Sequence, residues 1–176
     1  MEKTVKNRIR EANQYHTVSS NYTVDCYVSW LERGCIDLNP VYQRELVWET
    51  ENKRMFVENL IAELPVGSIC LARVRDEAEN RFIEVVDGKQ RLSAIFDFMN
   101  NEFNVAVGNQ MVYWDDLTIA EKRVFENLPL SAVTLHDSTM LERMEYFYRI
   151  NFAGVPQSEE HRQYVVALIQ DEQLKK

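Results

Sequence analysis

Asp87-Gly88-Lys89-Gln90-Arg91 puts a carboxylate, a glycine, a carboxamide and two cations into one short run. Phe82, Ile83, Val85 and Val86 before it form a β-rich apolar stretch that the Asp-Gly pair breaks. Leu92, Ile95, Phe96 and Met99 after it recur at helical spacing. The pattern predicts a buried strand, a tight turn and an amphipathic helix, with Lys89, Gln90 and Arg91 in the first helical turn. Cations there oppose the helix dipole at a cost of roughly 0.3–1 kcal/mol each. An anion, most simply a phosphate, reverses the sign of that cost. Gly88 permits close backbone approach, and the amides after it open a nest for an anion. Lys89 and Arg91 supply charge, and Gln90 can donate or accept a hydrogen bond. Asp87 has two readings: an N-cap of the helix, which the residues alone favour, or a group that holds a metal or orients water.

Other chemistries leave no trace. There is no GxxxxGK[ST], because Gln90 follows Gly88-Lys89, and no GxGxxG, HExxH, EF-hand loop, CxxC or GxSxG. His16, His136 and His161 are far apart in sequence and are read as surface or capping residues. Cys26, Cys35 and Cys70 are odd in number and widely spaced, so they form neither a metal motif nor a disulfide framework and are read as small hydrophobes. Reduced cysteines fit a cytoplasmic protein. No apolar run reaches the ~20 residues of a membrane span, and the polar N-terminus is not a signal peptide.

With 176 residues, 45% of them hydrophobic, the chain can bury a proper core. The expected organisation is a polar N-terminal arm over residues 1–21 and a single domain over 22–176. A formal net charge of −8 argues against a general nucleic-acid binder and favours a small polyanion such as a nucleotide in a local basic cleft. Arg44, Lys89 and Arg91 are the cations that would form it.

The elements that must position these residues follow in order. Thr23 begins a short helix with Val24, Tyr27, Val28 and Leu31 on one face and Gly34 after its end. Residues 36–40 are extended. Val41 to Trp48 has neither helical nor strand period, and its Tyr42, Gln43, Arg44 and Trp48 suggest a loop that lines something. Thr50 caps a helix to about Glu63, with Met55, Phe56, Leu60, Ile61 and Leu64 inward. Ile69–Val74 and Arg81–Val86 are two strands joined by a polar turn over Asp76–Asn80. The helix after the motif stops near Asn100-Asn101. A hairpin turns at Gly108-Asn109, a helix covers Ile119–Asn127, and Ser131–Leu135 is a further strand. Ser138 or Thr139 caps a helix with Leu141, Met144, Phe147, Tyr148 and Ile150 as its stripe, and Ser158 caps a last helix with Tyr164, Val165, Leu168 and Ile169 on one face.

Three ordered motifs carry a resemblance. Asp87-Gly88-Lys89-Gln90-Arg91 is similar to an Asp-Gly-Gln-Gln-Arg signature, with lysine at the third place. Pro40-Val41-Tyr42-Gln43-Arg44 with Trp48 matches Pro-x-Tyr-Gln-Arg followed by Trp. Phe147-Tyr148-Arg149-Ile150-Asn151, then Gly154-Val155-Pro156 and Glu160, matches a helix end, a turn and an acid. Over about residues 22–165 the chain resembles the N-terminal domain of GmrSD-type modification-dependent restriction enzymes, within the ParB/sulfiredoxin-like fold group. That resemblance implies an α/β (α+β) fold, a small mixed sheet flanked by helices. It implies binding of a nucleoside triphosphate and, as in several relatives, its hydrolysis with Mg²⁺.

Carried over by position, Tyr42, Gln43, Arg44, Gly88, Lys89, Gln90, Arg91 and Asn151 are expected to bind the nucleotide and its phosphates. Asp87 and Arg91 are the expected catalytic pair, with Asp87 the metal ligand. Lys89 departs from the signature but adds phosphate-binding charge. The restriction-type relatives continue into a helical region and an HNH nuclease domain. This sequence stops at Lys176, so cleavage of DNA by that domain is not carried over. Two other expectations remain beside the NTPase: a non-catalytic nucleotide-sensing or interaction module acting on a protein partner, and, least favoured by charge, a small nuclease or DNA-binding protein.

Overall fold

The computed structural model describes residues 14–43, 45–76, 81–152 and 159–175. Seven strands and six α-helices alternate along them: β1 (His16–Thr23), α1 (Val24–Glu32), β2 (Ile36–Asp37), α2 (Thr50–Ile61), β3 (Ile69–Asp76), β4 (Arg81–Asp87), α3 (Lys89–Met99), β5 (Val105–Val107), β6 (Gln110–Val112), α4 (Ile119–Glu126), β7 (Pro129–His136), α5 (Met140–Phe152) and α6 (Glu159–Leu174). A five-stranded sheet runs in the order β1-β7-β3-β4-β2, and β5-β6 is a separate hairpin. The large sheet is mixed: β1/β7 and β3/β4 are antiparallel, β3/β7 and β2/β4 parallel. This is the α+β architecture expected from the sequence.

Period-two patterning gives the sheet two faces. Ile69, Leu71, Ile83, Val85, Leu130 and Ala132 pack on one side against α1, α2, α3 and α4, through Tyr27, Phe56, Leu92, Ile95 and Phe125 among others. Cys70, Ala72, Val86 and Leu135 pack on the other against Met144 and Phe147 of α5 and Val165 of α6. Helix α1 lies where expected, and Thr23 is its N-cap, Oγ1 accepting from the Cys26 amide.

Three expectations are corrected. Part of the predicted arm is a strand: His16–Thr23 pairs residue by residue with His136–Pro129. An edge strand gains its hydrogen bonds from one neighbour and can stay polar on both faces, so it carries no alternation to read. That register also brings His16 and His136 together, ring centroids 5.3 Å apart, although they are distant in sequence. On α2 the buried stripe is Phe56, Val57 and Leu60, while Met55 and Leu64 are exposed. Met55 is one residue, about 100° of helix rotation, away from that stripe, and Leu64 lies beyond the helix end. Residues 1–13, the 77–80 turn, the Gly154-Val155-Pro156 turn and the Ser158 cap lie outside the described residues.

Candidate functional site

Strand β4 delivers the motif, and a slip in its ladder aims it. Leu71 pairs with Val85, but the next pair is Cys70 with Asp87, so β4 carries one extra residue there. Residues directly opposed across a ladder leave the sheet on the same face. Asp87 therefore emerges on the side of Cys70, the face that α5 covers. Ladder bulges recur where a side chain must be re-aimed. The turn that follows is tight. Gly88 has φ +108°, and a Cβ there would sit 2.6 Å from Ile69 Cδ1. Only glycine accepts both the left-handed backbone and that approach.

Gly88, and not Asp87, is the N-cap of α3, and no side chain caps the helix. The N-cap reading of Asp87 is thus overturned: its carboxylate reaches forward to Arg91, with Nη2 donating to Oδ2 at 2.5 Å. The pair offsets the misplaced charge of Arg91 in the first turn. Arg91 Nη1 also donates to the Ser68 carbonyl at 2.9 Å, and the two bonds fix the guanidinium plane. It lies so close to Gly67 that a Cβ there would be 2.7 Å from Nη1. The first backbone bond of the helix runs from the Leu92 amide to the Gly88 carbonyl. The amides of Lys89, Gln90 and Arg91 thus have no acceptor within the helix.

A cleft of about 340 Å³ opens at this helix start. Asp87, Gly88, Lys89, Gln90 and Arg91 line it together with Gln43, Asn151, Trp48, Phe56, Val66 and Phe147. The structure thus brings together seven of the expected site residues, from three separate motifs, with Trp48 of the second motif beside them. Lys89 is buried, at 7% exposure. Asn151 continues the Met144–Phe147 stripe of α5 to the point where core gives way to cleft, its Nδ2 donating to the Phe147 carbonyl at 3.0 Å. Arg44 lies outside the described residues.

Tyr42 is not brought to the cleft. Its ring is fully buried against Phe147, centroids 5.3 Å apart, and its hydroxyl donates to Glu84 Oε1. Burial, followed by the Glu84 carboxylate, pushes that hydroxyl well above its ordinary pKa. Arg143 Nε donates to the same oxygen at 2.8 Å, so Glu84, Tyr42 and Arg143 form a buried knot behind the cleft wall. Sequence reading missed Glu84 and Arg143, and it placed Phe147 in the core alone. The available signal was an acid at an inward position of an apolar strand, which demands a partner.

The two glutamines are both committed. Gln90 Oε1 accepts from the Val47 and Trp48 amides at 3.2 and 3.1 Å, and Nε2 donates to the Glu45 carbonyl at 3.1 Å. Gln43 Nε2 donates to the carbonyls of Val85 and Val86 at 3.2 and 2.7 Å.

The model of one protein family, the GmrSD restriction endonuclease N-terminal domain, matches residues 28–161. The chain belongs to that family. Neither the curated proteins nor the solved structures give a match. The matched span contains every described residue that lines the cleft, so the cleft lies within the GmrSD-type domain of this chain, a restriction-type module of phage defence. Among the described residues, no helix is long and apolar enough to cross a membrane. Nor do they include a group of three or more His, Cys, Asp and Glu side chains placed to hold a metal ion.

Proposed function

We propose that the cleft of this GmrSD-type domain binds a nucleoside triphosphate, with the phosphates at the start of α3. The observation that carries the reading is an uncapped helix N-terminus that lines the cleft with Lys89 and Arg91 in its first turn and no acid there. Such a turn is unfavourable alone and favourable around an anion. Arg91, held flat by Asp87 and Ser68, offers a fixed fork to phosphate oxygens. Among the described lining residues Asp87 is the sole carboxylate. That suits a Mg²⁺ that arrives on the phosphates and takes one or two protein oxygens, where it would neutralise phosphate charge. Titration calorimetry with ATP and GTP tests the reading. Wild-type binding that weakens at least tenfold in Arg91→Ala is expected; equal binding by both proteins overturns the site.

Hydrolysis is the finer step of the proposal, with Arg91 stabilising phosphate charge and Asp87 orienting water or metal. A specific observation favours the alternative of a binding module that acts through a protein partner. Among the described residues no histidine lines the cleft, and the one carboxylate among them is already engaged by Arg91. Phosphate release measured on wild type and Asp87→Ala separates the two. Turnover lost in the variant supports the NTPase, and binding without turnover supports the sensor.

A further inference from the structure

Between Val41 and Trp48 the described residues, 41–43 and 45–48, have no regular secondary structure, yet they are tied down along their length. Tyr164 of α6 donates its hydroxyl to the Val41 carbonyl at 2.9 Å. Tyr42 is locked to Glu84. Gln43 spans to β4, and Gln90 brackets the backbone from Glu45 to Trp48. The carboxamide orientations follow from the partners. An atom facing two backbone amides is an oxygen, and an atom facing carbonyls is a nitrogen.

We propose that Gln43 and Gln90 are positioning residues that clamp the Val41–Trp48 strap into the wall of the cleft, rather than ligands of the phosphates. A primary amide has two N–H donors. Gln43 spends both on Val85 and Val86, so what it can turn toward the cleft is an acceptor, unsuited to an anion. Successive carbonyls of a regular strand point to opposite edges; the slip in β4 at these residues lets one nitrogen reach both. β2 pairs with β4 only at Ile83 and Glu84, and beyond them Gln43 takes the place of the missing strand. Gln90 acts as the matching clamp at the other end, tying the first turn of α3 to Trp48, whose ring packs on Phe56 at 5.6 Å. One element thereby carries the helix-start amides and fixes the wall across from them.

The test is read without nucleotide, so it stands apart from the nucleotide reading, on which only its affinity arm rests. Gln90→Met keeps the side-chain volume and removes the three bonds. In the nucleotide-free protein, amide exchange at Val47 and Trp48 should accelerate about tenfold, with exchange over Leu92–Met99 unchanged. The Trp48 indole N–H resonance should shift. Gln43→Met should loosen Val41–Gln43 and leave Val47 and Trp48 protected. ATP affinity should fall about tenfold in each variant, because only part of the population then holds the wall in place. Unchanged exchange and indole resonance in Gln90→Met overturn the proposal, as does acceleration spread evenly over α3. A wild-type protein that binds no ATP overturns the nucleotide reading and leaves the exchange result standing.

Discussion

Strand β4 carries two carboxylates three residues apart, each paired with an arginine from a following helix, and their surroundings assign them different work. Glu84 and Arg143 are 11% and 13% exposed, and Tyr42 shares the same carboxylate oxygen. Asp87 and Arg91 are 32% and 17% exposed and face the cleft. The first pair ties β4 to α5 and to the strap. The second joins the end of β4 to the first turn of α3, where a ligand can compete for the arginine. Exposure and the number of other partners, not the chemistry of the pair, separate an anchor from a site.

The largest expected effect breaks the anchor. Arg143→Ala leaves a buried carboxylate without its cation, which typically costs about 3–5 kcal/mol. Urea denaturation should show that loss as a lower midpoint. Replacing both partners, as Glu84→Gln with Arg143→Met, should recover part of it, because neither buried charge then remains. A single variant as stable as wild type would erase the distinction between the two pairs.

Next in size is the turn that separates the pairs' roles. Gly88→Ala forces a Cβ against Ile69 in a left-handed conformation, at a cost of about 1–3 kcal/mol. Because the turn is shared by β4 and α3, stability and nucleotide affinity should fall together. A loss of affinity with an unchanged denaturation midpoint would make Gly88 a ligand contact only.

Arg91→Ala should do the reverse of Arg143→Ala. The pair is more exposed and local, so its removal should cost no more than about 1 kcal/mol. The same change should nonetheless weaken ATP binding at least tenfold. Stability effects of equal size at Arg91 and Arg143 would show that the cleft pair is a second anchor.

The contrast also marks what could be read from the sequence. The strand-turn-helix of Arg81–Met99 was legible because each part is local: an apolar run, a glycine, then helical spacing. The same holds for α1 and for the hairpin at Gly108-Asn109, where chain neighbours set the geometry. Asn151 came from the resemblance, through the helix-end motif Phe147-Tyr148-Arg149-Ile150-Asn151, and not from any local pattern. β1 was not, because its hydrogen bonds come from β7, more than a hundred residues away, and its side chains need no alternation. The partners of Gln43 and Gln90 were hidden for a related reason. Those of Gln43 depend on a one-residue slip between β3 and β4, which no residue type announces, and those of Gln90 are backbone groups of the irregular strap more than forty residues back in the chain. Tyr42 was placed in the pocket by its neighbours in the motif, yet the turn closed by the Gln43 amide on the Pro40 carbonyl leaves Tyr42 buried while Gln43 lines the cleft.

The smallest effect uses Cys70 to tell the two carboxylates apart. Its thiol is pushed up to about 12, first by burial and then by the charge of Asp87, with the Tyr146 hydrogen bond and Arg91 acting in the opposite direction. Glu84 is not among those causes. A thiol whose folded pKa lies above its unfolded value near 8.5 contributes stability that is complete below that unfolded value. That contribution is lost as pH rises toward 12, because the unfolded chain releases the proton first. Stability should therefore decline between about pH 9 and 12, with Tyr146, also pushed up to about 12 by burial, adding to the slope. Asp87→Asn removes one cause of the raised thiol and should shallow the decline, and it should speed alkylation of Cys70 at high pH relative to wild type. Glu84→Gln should leave the Cys70 alkylation profile in place. Equal shifts from the two variants would mean that β4 does not insulate its anchor from its site.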